Sequence, residues 1–129
     1  MTPKYDLKQM QSLVQTGDLD NIWFSAPSRS VYEVIRVFKE TDTPKNYEEA
    51  IDFILKGLLA LTEDHFVKVS PQWDTEFADV YGLEFENLPW FVKFILKDGE
   101  LEEISFHPPK EEMKTVSGKV IPPEEKKDG

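Results

Sequence analysis

Phe77 to Pro109 reads FADVYGLEFENLPWFVKFILKDGELEEISFHPP, and its alternation of apolar and polar residues decides the fold. Trp90 to Lys97 and Glu100 to His107 are strand-like runs on either side of Asp98-Gly99. That dipeptide tolerates positive φ at both positions and so suits a tight hairpin. Register then decides which residues share a face, because a slip of one residue exchanges the two faces. A two-residue loop places Leu101, Glu103, Ser105 and His107 beside Trp90, Val92, Phe94 and Leu96, which mixes charge into the most apolar face. A three-residue loop, Lys97-Asp98-Gly99 with Gly99 left-handed in a bulge, gathers Trp90, Val92, Phe94, Leu96, Ile104 and Phe106 instead. Phe91, Lys93, Ile95, Leu101, Glu103, Ser105 and His107 then share the other face. The apolar count favours the three-residue loop. It predicts His107 on a half-exposed sheet face with Phe91 and Lys93.

Upstream of the hairpin, Phe66 to Ser70 and Phe77 to Leu83 read as two more strands, joined by a polar loop from Pro71 to Glu76. Three amphipathic helices precede them. Tyr5 to Gln15 carries Leu7, Met10, Leu13 and Val14 at helical spacing, with Asp6 as N-cap and Gly17 at the end. Ser28 to Glu40 carries Val31, Val34, Ile35 and Phe38 on one face, with Ser28 as N-cap. Tyr47 to Leu61 has the widest apolar stripe and opens with Asn46 and Glu49 at capping-box spacing, which predicts the central helix. Asn21 to Phe24 is a short apolar run that suits an edge strand. Helices first and a strand meander afterwards is an α+β arrangement, three helices packed on an antiparallel sheet with a C-terminal hairpin. The domain is expected to span residues 1–109. From Lys110 to the end, five lysines face five acids with four prolines after His107 and few apolar residues, so 110–129 is predicted to be a mobile tail that adds little to the core.

A chain of 129 residues is long enough to bury one core without staples. It has no cysteine, hence no disulfide and no thiolate ligand or nucleophile. No stretch approaches membrane-spanning length and no basic-apolar leader opens the chain, so a cytoplasmic protein is expected. The two histidines, His65 and His107, stand far apart without spaced partners, and no metal or other cofactor is expected. The net charge of −10 belongs to the body: Asp74 to Glu103 holds nine acids against Lys93 and Lys97. Such a surface disfavours extended nucleic-acid binding, which needs excess positive charge.

Five strings in order and spacing carry a resemblance over Tyr5 to Pro109. They are YDLKQMQSLVQTG, SRS entering a helix, LLALTEDHFVK, FADVYG with the Phe-Val-Lys strand, and ISFH. Together they resemble the MqsR family of toxin–antitoxin toxins. The resemblance implies a RelE-like ribonuclease fold, cleavage of messenger RNA without metal, and a cognate antitoxin protein as partner. The catalytic set of that family is a lysine in FYK, a glutamine in WQDVY, a tyrosine in YLK and a lysine in SFK. Only the first is retained, as Lys68; the other positions hold Ala78, Phe91 and His107.

The chemistry of these residues suits RNA cleavage. A proton must leave the ribose 2′-OH, and histidine serves as acid or base near neutral pH. A cation must stabilise charge on the phosphorane. His107 and Lys68 are the candidate catalytic residues on those grounds. Lys93, Tyr81 (stacking on a base) and Arg29 (an anion at a helix N-terminus) are candidates for holding single-stranded RNA. A different class of reading is a catalytically degenerate binding module on the same fold, using its acidic face and Trp73 for a protein partner. An enzyme acting on another substrate, such as a nucleotide, is a third.

Overall fold

The structure, a computed structural model, describes residues 2–16, 22–24, 29–72 and 76–124. Ser28, Gly17 and Trp73, each given a role from sequence, lie outside them. In chain order the elements are α1 (Leu7–Thr16), β1 (Ile22–Phe24), α2 (Arg29–Phe38), α3 (Tyr47–Ala60), a 3-10 turn (Glu63–His65), β2 (Phe66–Pro71), β3 (Phe77–Phe85), β4 (Leu88–Lys97), β5 (Glu100–His107), β6 (Met113–Lys114) and β7 (Val120–Ile121). The α+β arrangement expected from the sequence is present. No helix among the described residues is long and apolar enough to cross a membrane.

Local signals place the helices. The Asp6 carboxylate accepts from Lys8 N at 2.9 Å, and Asn46 and Glu49 exchange both bonds of a capping box at 2.8 and 3.0 Å. Met10, Val31, Val34, Ala50, Ile54 and Leu58 are fully buried against one face of the sheet, where they meet Trp90, Val92, Phe94, Ile104 and Phe106. At the far end of that face the buried Asp79 carboxylate accepts from Lys4 N and Tyr5 N, both at 2.8 Å. This ties the N-terminal segment to β3.

The main sheet has the order β1-β5-β4-β3-β2. Strands β2 to β5 form an antiparallel meander, and β1, at the edge, runs parallel to β5. Direction matters here. Because β1 runs with β5, the chain enters α2 near the end of β5 that carries His107. Ser30, 4% exposed, accepts there from Phe106 N at 2.8 Å and so occupies the ladder position beyond the short edge strand.

The β4–β5 register corrects the three-residue loop. Lys97 pairs with Glu100, so the loop is Asp98-Gly99 alone, with φ of 52° and 77°. Positive φ at both positions matches the right-handed twist of the strands. The extra residue sits inside β5: Ile95 pairs with Glu102 but Lys93 pairs with Ser105, leaving two residues, Glu103 and Ile104, opposite Phe94. This bulge exchanges the faces midway. Beyond it Ile104 and Phe106 point to the core with Val92, as the apolar count requires, while Leu101 is also in the core rather than on the outer face.

Residues 110–124 of the tail expected to be mobile are instead folded on the sheet. Met113 pairs with Ile121 and Lys114 with Val120, and Ile121 is fully buried. The hairpin settles over Gly82, where an added Cβ would stand 3.0 Å from Ile121 Cγ1 and 3.2 Å from Met113 Cε. A strand glycine here marks close approach of another segment. Val116 N donates to Phe66 O at 2.8 Å and Glu124 N to Pro109 O at 2.9 Å, closing the segment at both ends. Its apolar content is small but concentrated in two side chains that fill a notch. Ending the chain after Pro109 should therefore lower stability by about 3 kcal/mol, the burial of one to two such side chains. For a domain of this size that is a fall of about ten degrees in melting temperature. An unchanged melting curve would show that the hairpin contributes nothing to the core.

Candidate functional site

The face of the sheet away from the helices carries the site. Lys68 pairs with Val80, Val80 with Lys93, and Lys93 with Ser105, so one row of side chains crosses four strands. The next row is Gly82, Phe91 and His107. Neighbouring strands stand about 4.8 Å apart, so the Lys68 and Lys93 backbones are about 10 Å apart. A cavity of about 580 Å³ lies over these rows. Val80 and Phe91 contribute to it from the sheet, Arg29, Ser30 and Glu33 from α2, and residues 110–114 from the C-terminal segment.

His107 is oriented on two sides. Its ring stacks on Phe91 with centroids 4.8 Å apart and planes 15° from parallel. Its Nδ1 stands 2.8 Å from Pro108 O. A carbonyl only accepts, so Nδ1 carries the proton and, in the neutral ring, Nε2 carries the lone pair. Burial holds the imidazole below its usual pKa of 6.5; the Pro108 carbonyl and Glu33 pull it up, and Lys110 and Arg29 push it down. The balance leaves a neutral ring at neutral pH, with a base at Nε2.

Five basic side chains line the cavity, Arg29, Lys68, Lys93, Lys110 and Lys114, against three acids, Glu33, Glu111 and Glu112. Glu33 is held by Arg36 at 2.7 Å. Lys93 donates to Gln72 Oε1 at 2.9 Å, which fixes its ammonium over the sheet. The chain carries −10 overall, so an excess of cations around one concavity is a local inversion of charge, and it focuses an anion there. Among the described residues no group of three His, Asp or Glu is placed to hold a metal ion.

Of the residues singled out by sequence, His107, Lys68, Lys93 and Arg29 come together in this cavity. Tyr81 does not, and its assignment to substrate is corrected. It neighbours Val80 on β3 and so points to the opposite face, fully buried, stacked on Phe94 at 5.7 Å and edge-on to Phe66 at 5.5 Å. Its hydroxyl has no hydrogen-bond partner among the described residues, and burial, then Asp79 and Glu63, raise its pKa. Ala78 is buried on the outer face and does not line the cavity. Sequence reasoning missed Lys110 and Lys114, assigned to a mobile tail, and Ser30, whose buried hydroxyl no spacing rule identifies. No protein-family model matches this chain, and a search of curated proteins finds no relative of it.

Proposed function

We propose that the protein is a metal-independent endoribonuclease that cleaves single-stranded messenger RNA, the toxin of a type II toxin–antitoxin pair on a RelE-like fold. The convergence of His107, Lys68, Lys93 and Arg29 on one electropositive cavity in an acidic chain carries this reading. His107 Nε2 takes the proton of the ribose 2′-OH, and the freed oxygen attacks the adjacent phosphorus. The bond to the 5′-oxygen breaks, and that oxygen is protonated by water. The resulting hydroxide recovers the proton from His107, leaving a 2′,3′-cyclic phosphate and a 5′-hydroxyl. Lys68 and Lys93 stabilise the charge that accumulates on the phosphorane. Phe91, unable to donate a hydrogen bond, holds the imidazole plane instead. The cellular setting is the cytoplasm, with a cognate antitoxin protein that blocks the cavity.

The test is cleavage of single-stranded RNA by the purified protein in chelator, with growth measured when the protein is expressed without its neighbours. Lys68→Ala should lower the cleavage rate by about tenfold to a hundredfold, and Lys68→Arg should retain part of it, because the cation acts by its charge. Full activity in Lys68→Ala would remove that residue from the site. No cleavage and no growth inhibition by the wild type would remove the ribonuclease.

A second reading is a non-catalytic protein-binding module. Tyr32 and Tyr47 favour it: they stand edge to face at 6.0 Å on the helical layer while 61% and 42% exposed. Exposed tyrosines of this kind anchor protein interfaces. Tight binding of a protein partner that Tyr32→Ala abolishes, in a chain inert toward RNA, would establish that reading instead.

A further inference from the structure

The wall of the cavity formed by residues 110–114 belongs to a segment closed on itself. Glu124 N bonds Pro109 O at one end, β6 pairs with β7, and Ile121 is buried over Gly82. Arg36 reinforces the closure through Glu124 at 3.0 Å. Lys110 and Lys114 are thus carried on a backbone with fixed ends, not on a free tail. Both are exposed, and neither makes an ion pair among the described residues. Lys119, on the same hairpin but outside the cavity, is paired with Glu84 at 3.4 Å. In a chain with 25 acids and 15 basic residues, Lys110 and Lys114, without an ion pair among the described residues, are available to an anion from outside.

We infer that the C-terminal hairpin is the second half of the substrate site, with Lys110 and Lys114 gripping backbone phosphates of single-stranded RNA beside the ribose whose 2′-OH His107 deprotonates. This rests on the ribonuclease reading and extends it to how the strand is held. The neighbouring Glu111 and Glu112 also line the cavity and keep the contact short: a long phosphate track would meet their carboxylates, whereas one or two phosphates meet the lysines. Lys110 also lies close enough to push the His107 imidazole toward its neutral form, so the strap acts on the base as well as on the strand.

The experiment is anisotropy titration of the full-length protein with a labelled 2′-O-methyl tetranucleotide, which carries the phosphates but cannot be cleaved, at several salt concentrations. Lys110→Ala with Lys114→Ala should weaken binding about tenfold or more and flatten the slope of log K against log salt by roughly 0.7 for each phosphate no longer held. The control is Lys8→Ala with Lys39→Ala, which makes the same change in net charge at exposed sites outside the cavity and should leave both quantities unchanged. Unaltered binding by the first pair, equal weakening by the control, or no binding by the wild type overturns the inference. Inorganic phosphate should compete only weakly; competition as strong as that of the unlabelled oligonucleotide would make this a free-anion site and also overturn it. Cleavage, measured separately, keeps the two readings apart. A wild type that cleaves RNA but ignores these lysines retains the ribonuclease and loses the strap.

Discussion

Aspartate in place of Ile104 should unfold the protein. Ile104 is fully buried in the bulge of β5, between the sheet and α2. A carboxylate there would be desolvated with no cation to pair with. Burying such a group costs about 3 kcal/mol or more, a large share of the roughly 5–15 kcal/mol typical of a domain. Ile104→Val removes only a methylene and should cost about 1 kcal/mol. Circular dichroism melts of the two variants test the inward placement of Ile104 that the extra residue in the hairpin produces. A cooperative melt for Ile104→Asp close to the wild type would mean that the residue faces solvent, and that β5 runs on from the Asp98-Gly99 turn without a bulge.

His107→Ala should lose on the order of a hundredfold or more in the rate of RNA cleavage, the usual contribution of a general acid or base. Its melting temperature should stay within a few degrees of wild type, since the ring is on the outer face and covers Phe91 from one side only. The pH profile adds a second signature. The folded pKa lies below the usual 6.5, chiefly through burial, so the base is already formed at neutral pH. Activity should be level at pH 7 and fall on acidification, with its midpoint below 6.5; that acid limb should vanish in His107→Ala. The same sign applies to stability. A histidine whose folded pKa is depressed favours the unfolded, protonated chain as pH drops below 6.5, so His107 stabilises less in acid than at neutrality. An acid limb that persists in His107→Ala would assign the proton transfer to another group.

Helical spacing and capping residues were enough for the three helices. Asn46 with Glu49, and Asp6 before α1, are local chemistry within four residues, and local chemistry is readable in sequence. The strands of the meander were legible for the same reason, and the outward placement of His107 with Phe91 and Lys93 followed once the apolar count had chosen the register. The turn was not. Apolar counting detects that the faces change between Leu96 and Ile104, but an extra residue in the loop and one in the strand give the same count. Only pairing with β4 on one side and β1 on the other shows that β5 holds it.

The site divides along the same line. The residue types able to do the chemistry were legible in the sequence, and His107 and Lys93 came to one face there because the apolar count set the register of the hairpin that holds both. It misplaced Tyr81, one residue out of phase with Val80, because Asp79 and Glu84 put a charge on each face of β3 and so hide which side is inner. Tertiary structure alone brought Arg29 to the cavity, through the parallel run of β1 beside β5. It also turned the segment 110–124 from a charged, proline-rich tail into a wall, since two buried side chains over Gly82 are a contact between residues about thirty or more positions apart. Such contacts form only once the sheet exists, and no local pattern announces them.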